Sequence, residues 1–371
     1  MNDNNKKVRE PLFHVTKRSK DNLPFWKSCI IRILSVLVSL IVCGIITAIV
    51  TKLNPLDVYK SMIDGAIGSP RRLWNLARDT AILLCVALAV TPAFKMRFWN
   101  IGAEGQVLIG GLATASVMIL CKNTLPPWAL YVVMILASIV AGAVWGLIPA
   151  FFKANWNTNE TLFTLMMNYI AIQIVSYFAF IWSNPKGSGK IGVINSSSEL
   201  GWLPSIDGNN HLLPIIIVAV LTVIMYFYLK NSKHGYEIAV VGESENTARY
   251  IGINVKKIII RTMILSGALC GIAGLLLVSG TSHTINAETA GGRGFTAIMV
   301  SWLAHFNPLT MVLTSLLLVF FEKGAGQISM ELGLNDSFSE IITGIIIFFI
   351  IGSEFFINYK INFRQKEAEN K

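Results

Sequence analysis

Long apolar runs separated by short polar segments make up most of this chain. They fall at about 30–50, 79–94, 103–121, 128–151, 160–182, 212–229, 258–279, 295–306, 309–321 and 338–358. Because a helix needs about 20 residues to cross about 30 Å of hydrocarbon, most of these runs are long enough to span a bilayer. The alternating strands of a membrane β-barrel are not seen in the sequence. The pattern therefore predicts an all-α polytopic membrane protein with about ten transmembrane or re-entrant helices.

Two of the runs, 295–306 and 309–321, are short, and Asn307-Pro308 separates them. Neither is long enough to span a bilayer alone. We expect broken or re-entrant helices here, which membranes tolerate where the backbone is buried in protein or lines a cavity.

Composition supports the membrane interpretation. Of the 371 residues, 53% are hydrophobic and only 14% are charged, whereas a soluble domain carries about 25% charged residues. Five cysteines are widely separated and form no CxxC pair: Cys29, Cys43, Cys85, Cys121 and Cys270. Isolated cysteines of this kind usually act as small packing residues. We therefore expect no metal site, no redox centre and no cofactor.

The net charge of +10 is concentrated at two places in the chain. One is the segment before the first apolar run, and the other is a loop after mid-chain that carries Lys230, Lys233, Arg249, Lys256 and Lys257. An excess of Lys and Arg marks cytoplasmic segments, so the charge indicates membrane orientation rather than a nucleic-acid partner.

The charge pattern also predicts the domain organisation. We expect a basic cytoplasmic segment at 1–28, a transmembrane domain at 29–358 with a cytoplasmic loop at 230–257, and a cytoplasmic tail at 359–371. The Ser-, Gly- and Asn-rich loop at 183–211 should then face outward. This arrangement describes a multi-pass protein of the cell membrane, in contact with lipid and with both termini in the cytoplasm.

Several polar side chains lie at or inside apolar runs, where an unpaired polar group is costly. They are Asn100, Glu104, Gln106, Asn159, Glu160 and Asn168. Such groups tend to mark a substrate path, and nearby glycines allow helix ends to point at a ligand. Interhelical hydrogen bonds that hold the bundle together are the open alternative.

The cytoplasmic loop contains the pattern of a very short helix. Ser244 is a natural N-cap, Glu245 lies in the first turn, Arg249 lies near the last turn, and Gly252 fits the position after the C-cap. Because an isolated helix of under about 12 residues is marginal in water, we expect this segment to dock against a partner.

Three motifs resemble those of one family of permeases. Residues 98–106 (FWNIGAEGQ) are similar to the FNIGAEGQ signature of permease subunits from ATP-binding cassette (ABC) importers of the ribose and branched-chain amino acid superfamily, with Trp99 inserted after Phe98. Residues 159–171 contain a second motif (NET, then LMMNYIA), and residues 292–298 (GRGFTAI) with Asn307-Pro308 form a third. Together they cover most of 80–330, in the family's order, and point to its nucleoside branch.

The resemblance implies a transport subunit rather than an enzyme, with no catalytic residue. Its partners would be an ATP-binding cassette subunit, a second and paralogous permease subunit, and an extracytoplasmic substrate-binding lipoprotein. The substrate path would include the six polar residues above and Phe295, whose ring suits a nucleoside base. The short cytoplasmic helix would be the coupling helix that contacts the ATPase through Glu243, Glu245, Asn246, Ala248, Arg249 and Gly252.

Two other transport functions remain as alternatives. One is an ABC permease for a simple sugar such as ribose, and the other is an ion-coupled secondary transporter. The latter needs carboxylate or histidine relays deep in several helices, whereas most runs here contain no acidic residue. The segment Gly187-Ser188-Gly189-Lys190 lacks the flanking residues of a phosphate-binding loop, so ATP would be hydrolysed on another polypeptide.

Overall fold

The computed structural model describes residues 13–17, 24–52, 54–183, 186, 188, 191–206, 208–331, 333 and 335–363. Most of the basic segment at 1–28, most of Gly187-Ser188-Gly189-Lys190 and the tail beyond 363 lie outside these residues. The predictions made for those segments are therefore not addressed by the fold.

Helices account for most of the described chain, and two short strands flank them. The strands are β1 (Phe13–Lys17) and β2 (Tyr359–Phe363). The helices are α1 (Phe25–Thr51), α2 (Pro55–Ile67), α3 (Pro70–Lys95), α4 (Ala103–Leu120), α5 (Pro127–Trp156), α6 (Glu160–Ile181), α7 (Leu212–Asn231), α8 (Lys233–Glu243), α9 (Glu245–Tyr250), α10 (Val255–Leu277), α11 (Arg293–Leu303), α12 (Pro308–Glu331) and α13 (Asp336–Asn358). A π-helical turn, Val278–Ser282, extends α10.

Within the described residues, nine helices are long and apolar enough to cross a membrane. The predicted short run at 309–321 was wrong in its extent, because α12 is a 24-residue helix. Its last turns contain Glu322, Lys323 and Glu331, and these charges hid the end of the helix from an apolar-run criterion. The run at 295–306 is confirmed as short, since α11 has 11 residues and is only about 16 Å long.

Capping side chains explain where several helices begin. Ser69, Asn159, Ser244 and Asn254 each accept a hydrogen bond from a backbone N–H in the first turn of the helix that follows. Such caps satisfy donors that the helix itself leaves free. At the other end of α5, Asn157 adopts a left-handed φ of 50°, so that only residues 157–159 separate α5 from α6.

The chain forms two compact units, Ala66–Lys323 and Met1–Gly65 with Gly324–Lys371. In the larger unit, α10 packs against α3, α4 and α5. A Cβ atom added at Gly142 would lie 2.9 Å from the Cα of Gly271, and one added at Gly146 would lie 3.3 Å from the Cα of Gly267. These glycines therefore allow the helix backbones to approach closely.

In the smaller unit, α1 packs against α13. Arg32 and Glu354 form an ion pair of 2.7 Å between these helices. Strands β1 and β2 pair antiparallel, with Lys17 opposite Tyr359. The first and last described segments of the chain therefore lie side by side.

Candidate functional site

The turn between α3 and α4 contains the FWNIGAEGQ motif and is held by the amide of Asn100. Asn100 is fully buried. Its Oδ1 accepts a hydrogen bond from the Gly102 N–H at 3.1 Å, and its Nδ2 donates to Ser266 Oγ on α10 at 3.1 Å. The side-chain amides of Asn100 and Gln106 also pair, at 3.3 and 3.4 Å. Asn100 thus holds the turn together by hydrogen bonds within it and attaches the turn to α10.

Asn168 attaches α6 to the same turn. Its Oδ1 accepts from the Gly105 N–H at 2.8 Å, and its Nδ2 donates to the Ile101 carbonyl at 2.9 Å. A Cβ atom at Gly105 would lie 2.9 Å from Asn168 Oδ1, so the glycine is what permits this approach. One amide therefore satisfies the Gly105 N–H, which the first turn of α4 leaves open, and the carbonyl of Ile101, which precedes the helix.

Glu104 connects α4 to α11. Its carboxylate accepts hydrogen bonds from the backbone N–H groups of Gly292 and Gly294, both at 2.7 Å. Glu104 is 6% exposed, and its negative charge lies at the positive end of the α11 dipole. Gly292 has a left-handed φ of 70°, while a Cβ atom at Gly294 would lie 2.7 Å from the Cα of Glu104. The glycines of the third motif are therefore required by the carboxylate of the first.

These contacts bring together Asn100, Glu104, Gln106 and Asn168, four of the predicted path residues. Each is buried and is hydrogen-bonded to protein. Three surface cavities lie in the described part of the chain, one lined by Tyr177, one by Glu160 and one by His283. None of the four residues contributes to the lining of these cavities. The geometry fits the role of holding α4, α6, α10 and α11 in register, and a role in substrate passage stays a prediction.

The other three predicted path residues lie elsewhere. Asn159 caps α6 by accepting from the Leu162 N–H at 3.2 Å, and Glu160 forms a 2.8 Å ion pair with Lys153 of α5. Glu160 and Lys153 also line a small cavity of about 40 Å³ beside Glu245. Phe295, in the first turn of α11, is 40% exposed. Glu160 thus lies near the short helix α9, and Phe295 is open to a partner or ligand.

Helix α9 has the caps that the sequence predicts. Ser244 Oγ accepts from the Thr247 N–H at 3.2 Å, Glu245 and Arg249 form an exposed ion pair at 3.4 Å, and Gly252 has φ of 85°. The side chains of Glu243, Glu245, Asn246 and Arg249 are exposed. Ala248, by contrast, is completely buried and anchors the helix instead of facing a partner.

Ala248 joins a hydrophobic cluster that includes Met96, Phe98, Ile238 and Met263. At Gly242 of α8, the backbone also touches the end of α3, since an added Cβ would lie 3.3 Å from the Cα of Met96 and closer still to the Lys95 carbonyl. Helices α8 and α9 are therefore packed directly on the segment that leads into the Asn100 turn.

Two aromatic residues were missed by the sequence reasoning. Tyr250, at the end of α9, is 92% exposed, and its position directly after Arg249 in a short capped helix would have identified it. Trp99, treated only as a departure from the motif, has its ring centroid 5.7 Å from that of Trp302 on α11 and 5.8 Å from that of Phe94. The extra residue thus adds an aromatic contact between the turn and α11.

Comparison with known proteins identifies the family. Residues 72–351 match the family model described as "Branched-chain amino acid transport system / permease component". The chain is 31% identical to the guanosine ABC transporter permease protein NupP of Bacillus subtilis, over 84% of this chain and 89% of the relative.

Two further relatives align over most of their length. The glucose ABC transporter permease protein TsgB13 of Haloferax volcanii is 29% identical, over 91% of each chain. The nucleoside ABC transporter permease protein NupB of Lactococcus lactis is 28% identical, over 80% of this chain and 84% of the relative. This chain is a multi-pass membrane protein that belongs to the family of branched-chain amino acid transport system permease components.

Proposed function

We propose that this chain is the transmembrane permease subunit of an ABC importer and forms the translocation path for nucleosides. The observation that carries the proposal is the family match across residues 72–351 together with a capped, exposed helix α9. Two of the three relatives above are named as nucleoside or guanosine permeases. The glucose permease at 29% identity keeps a sugar as the alternative substrate.

The chain works with an ATP-binding subunit and a substrate-binding protein, as permeases of this class do. We propose further that a second, paralogous permease completes the path and that the binding protein is a lipoprotein. Helix α9 is the coupling helix: the exposed residues Glu245, Arg249 and Tyr250 contact the ATPase. Motion of α9 passes through Ala248 and the Met96–Phe98 segment to the Asn100 turn, and through Glu104 to α11.

The course of the chain after α10 supports ten crossings. Helix α10 with its π-helical turn runs for 28 residues, from Val255 beside α9 to Ser282, a length of about 42 Å. Helix α11 ends with Trp302 next to Phe94 at the end of α3, the same end on which α8 packs. In the proposed topology, residues 283–303 return across the bundle as a half made of bends and turns followed by a helical half, which resembles the discontinuous helices of transporters.

Ten crossings return both termini to one side, in agreement with the pairing of β1 with β2. The basic loop at 230–257 supports the proposal that this side is the cytoplasm. Single cysteines at Ser197 and Asn246 on a cysteine-free background test this orientation. Residue 197 should react with an impermeant maleimide in intact cells, and residue 246 only after permeabilisation; the reverse result would overturn the topology.

The substrate proposal is tested by uptake in cells that lack other nucleoside transport. The cells express this chain with its partner permease, ATPase and binding protein, and receive labelled guanosine or labelled glucose. Accumulation of guanosine, competed by other nucleosides and not by glucose, is the expected result. Accumulation of glucose alone would replace the nucleoside with the sugar.

A further inference from the structure

The loop between α6 and α7 is fixed to α5 and to the end of α10 that lies far from α9. Three hydrogen bonds hold it: Ile194 N–H to the His283 carbonyl at 2.7 Å, Leu203 N–H to the Ser279 carbonyl at 3.0 Å, and Tyr131 OH to the Trp202 carbonyl at 2.7 Å. The indole of Trp202 also stacks on the imidazole of His283, with centroids 3.8 Å apart and planes at 11°. Residues 191–206 thus form an ordered loop, here called the cap, that covers this end of α10.

A cavity of about 270 Å³ lies between this cap and the π-helical turn. Its polar lining residues come from three parts of the larger unit: Tyr131 of α5, Glu199, Trp202, Ser205 and Asn210 of the loop, and His283 after α10. Leu203 and Pro204 of the loop and Gly280 of the π-helical turn complete the lining. The volume is just below the roughly 300–1,000 Å³ of small-molecule sites. A cavity of this size accommodates one small ring-containing molecule.

Local backbone conformations indicate that the cavity is more than a gap between loops. Glu199 and His283, both in its lining, adopt left-handed φ angles of 52° and 49°. Non-glycine residues in this region carry strain and cluster at ligand sites. The π-helical turn at Val278–Ser282 is also a feature found frequently at functional sites.

The polar groups of the lining match the chemistry of a nucleoside. The carboxylate of Glu199 accepts hydrogen bonds, which ribose hydroxyls and the N–H groups of a base edge can donate. The amide of Asn210 and the hydroxyl of Ser205 can both donate and accept. The imidazole of His283, also in the lining, can donate or accept according to its tautomer. The Trp202–His283 stack adds a flat aromatic surface on which a base can lie.

We propose that this cavity is an outer nucleoside-binding site that receives the substrate before it enters the membrane. The proposal rests on the proposed function, because it takes both the outward orientation of the loop and the nucleoside class from it. The ribose and the base edge bind Glu199 and Asn210, and the base lies beside Trp202. Since much of the lining is exposed to solvent, binding is weak enough for the substrate to move on.

Equilibrium dialysis tests the proposal with the purified importer, both permeases and the ATPase, in lipid nanodiscs without the binding protein. The probes are tritiated guanosine and labelled glucose. Glu199→Gln removes the charge at an exposed position without a change of shape, and Ser205→Trp fills the cavity from its exposed rim. Glu288→Gln is the matched control, because Glu288 is exposed on the segment after α10 and does not line the cavity.

Guanosine should bind to the wild-type complex and to Glu288→Gln, and binding should weaken about tenfold in Glu199→Gln, as expected for the loss of a charged hydrogen bond. Ser205→Trp should abolish it. If both cavity variants bind guanosine like the wild type, or if the wild type binds none, the outer site is wrong. Guanosine uptake by the same wild-type importer shows whether the proposed function stands in that case, and glucose binding in place of guanosine would overturn both.

Discussion

Oε2 of Glu104 lies 2.7 Å from the backbone nitrogen of Gly294, so that the first turn of α4 caps the first turn of α11. The neighbouring Gly292 N–H binds the other carboxylate oxygen at 2.7 Å. Glu104→Gln replaces one charged acceptor with an amide NH2 that faces a backbone N–H. We expect this change to weaken the attachment of α11, lower the free energy of unfolding by about 2 kcal/mol and reduce uptake severalfold.

Thermal unfolding in detergent and nucleoside uptake measure these two effects. Glu288→Gln makes the same chemical change at an exposed residue and should leave both at the wild-type value. Glu104→Gln protein that unfolds at the wild-type temperature and transports at the wild-type rate would mean that the cap does not matter.

Asn168 should be needed for the junction of α6 with the Asn100 turn. Asn168→Leu leaves the buried Gly105 N–H and the partly buried Ile101 carbonyl without their partner, at a cost of about 1–3 kcal/mol for the buried group. We expect a lower unfolding temperature and lower uptake per assembled complex. Gln173→Leu on the exposed face of α6 is the control for the loss of an amide. Equal stability of the two variants would contradict the assigned contacts.

Tyr250 should act on the ATPase and hardly on the fold. Because its side chain is 92% exposed, Tyr250→Ala is expected to change the free energy of unfolding by no more than about 0.5 kcal/mol. Co-purification of the ATPase and transport-coupled ATP hydrolysis should fall several-fold. Tyr236→Ala, at a second exposed tyrosine on α8, shows whether any exposed aromatic in this loop would do the same. If Tyr250→Ala retains full coupling, α9 does not contact the ATPase through this ring.

His234 should make stability depend on pH. It is 2% exposed, with Nδ1 2.6 Å from Tyr228 OH and Nε2 3.3 Å from Thr262 Oγ1. Burial lowers the pKa of His234 below its usual 6.5, and Arg261 adds to this effect, while Glu237 opposes it. The unfolded chain therefore binds more protons as the pH falls below about 6.5, and stability decreases in that range.

The measurement is the unfolding temperature between pH 7.5 and pH 5.5. His234→Gln keeps a donor and an acceptor without a titrating ring, so its decrease over this range should be smaller than that of the wild type. Burial also lowers the pKa of His211 and His283, and part of the decrease should therefore remain. An identical pH dependence in both proteins would show that His234 does not contribute.

The sequence predicts the helices well because most of them are apolar along their length. The length of the apolar run is enough to find α1, α5 or α13. Helix α2 was missed, because a 13-residue segment that contains Asp57, Lys60 and Asp64 has no long apolar run. The end of α12 was missed for the same reason. Charged residues near the ends of membrane helices are tolerated when they form ion pairs, as Lys323 does with Asp79.

The candidate site was predicted in its membership but not in its arrangement. The sequence shows that burial of Glu104 and Asn168 is energetically costly, but it cannot show which hydrogen-bond partners offset this cost. The partners proved to be backbone N–H groups of Gly292, Gly294 and Gly105, which carry no signature of their own. Ala248 was wrongly assigned to the ATPase surface, because the sequence does not show which side of the six-residue helix α9 is buried.

Transport in proteoliposomes tests the central claim most directly. The vesicles contain this chain, its partner permease and the ATPase, with ATP enclosed on the ATPase side and guanosine-loaded binding protein on the other. We predict accumulation of labelled guanosine that requires hydrolysable ATP and the binding protein. Accumulation driven by a proton or sodium gradient without the ATPase, or ATP-driven accumulation of glucose and not of guanosine, would contradict the account.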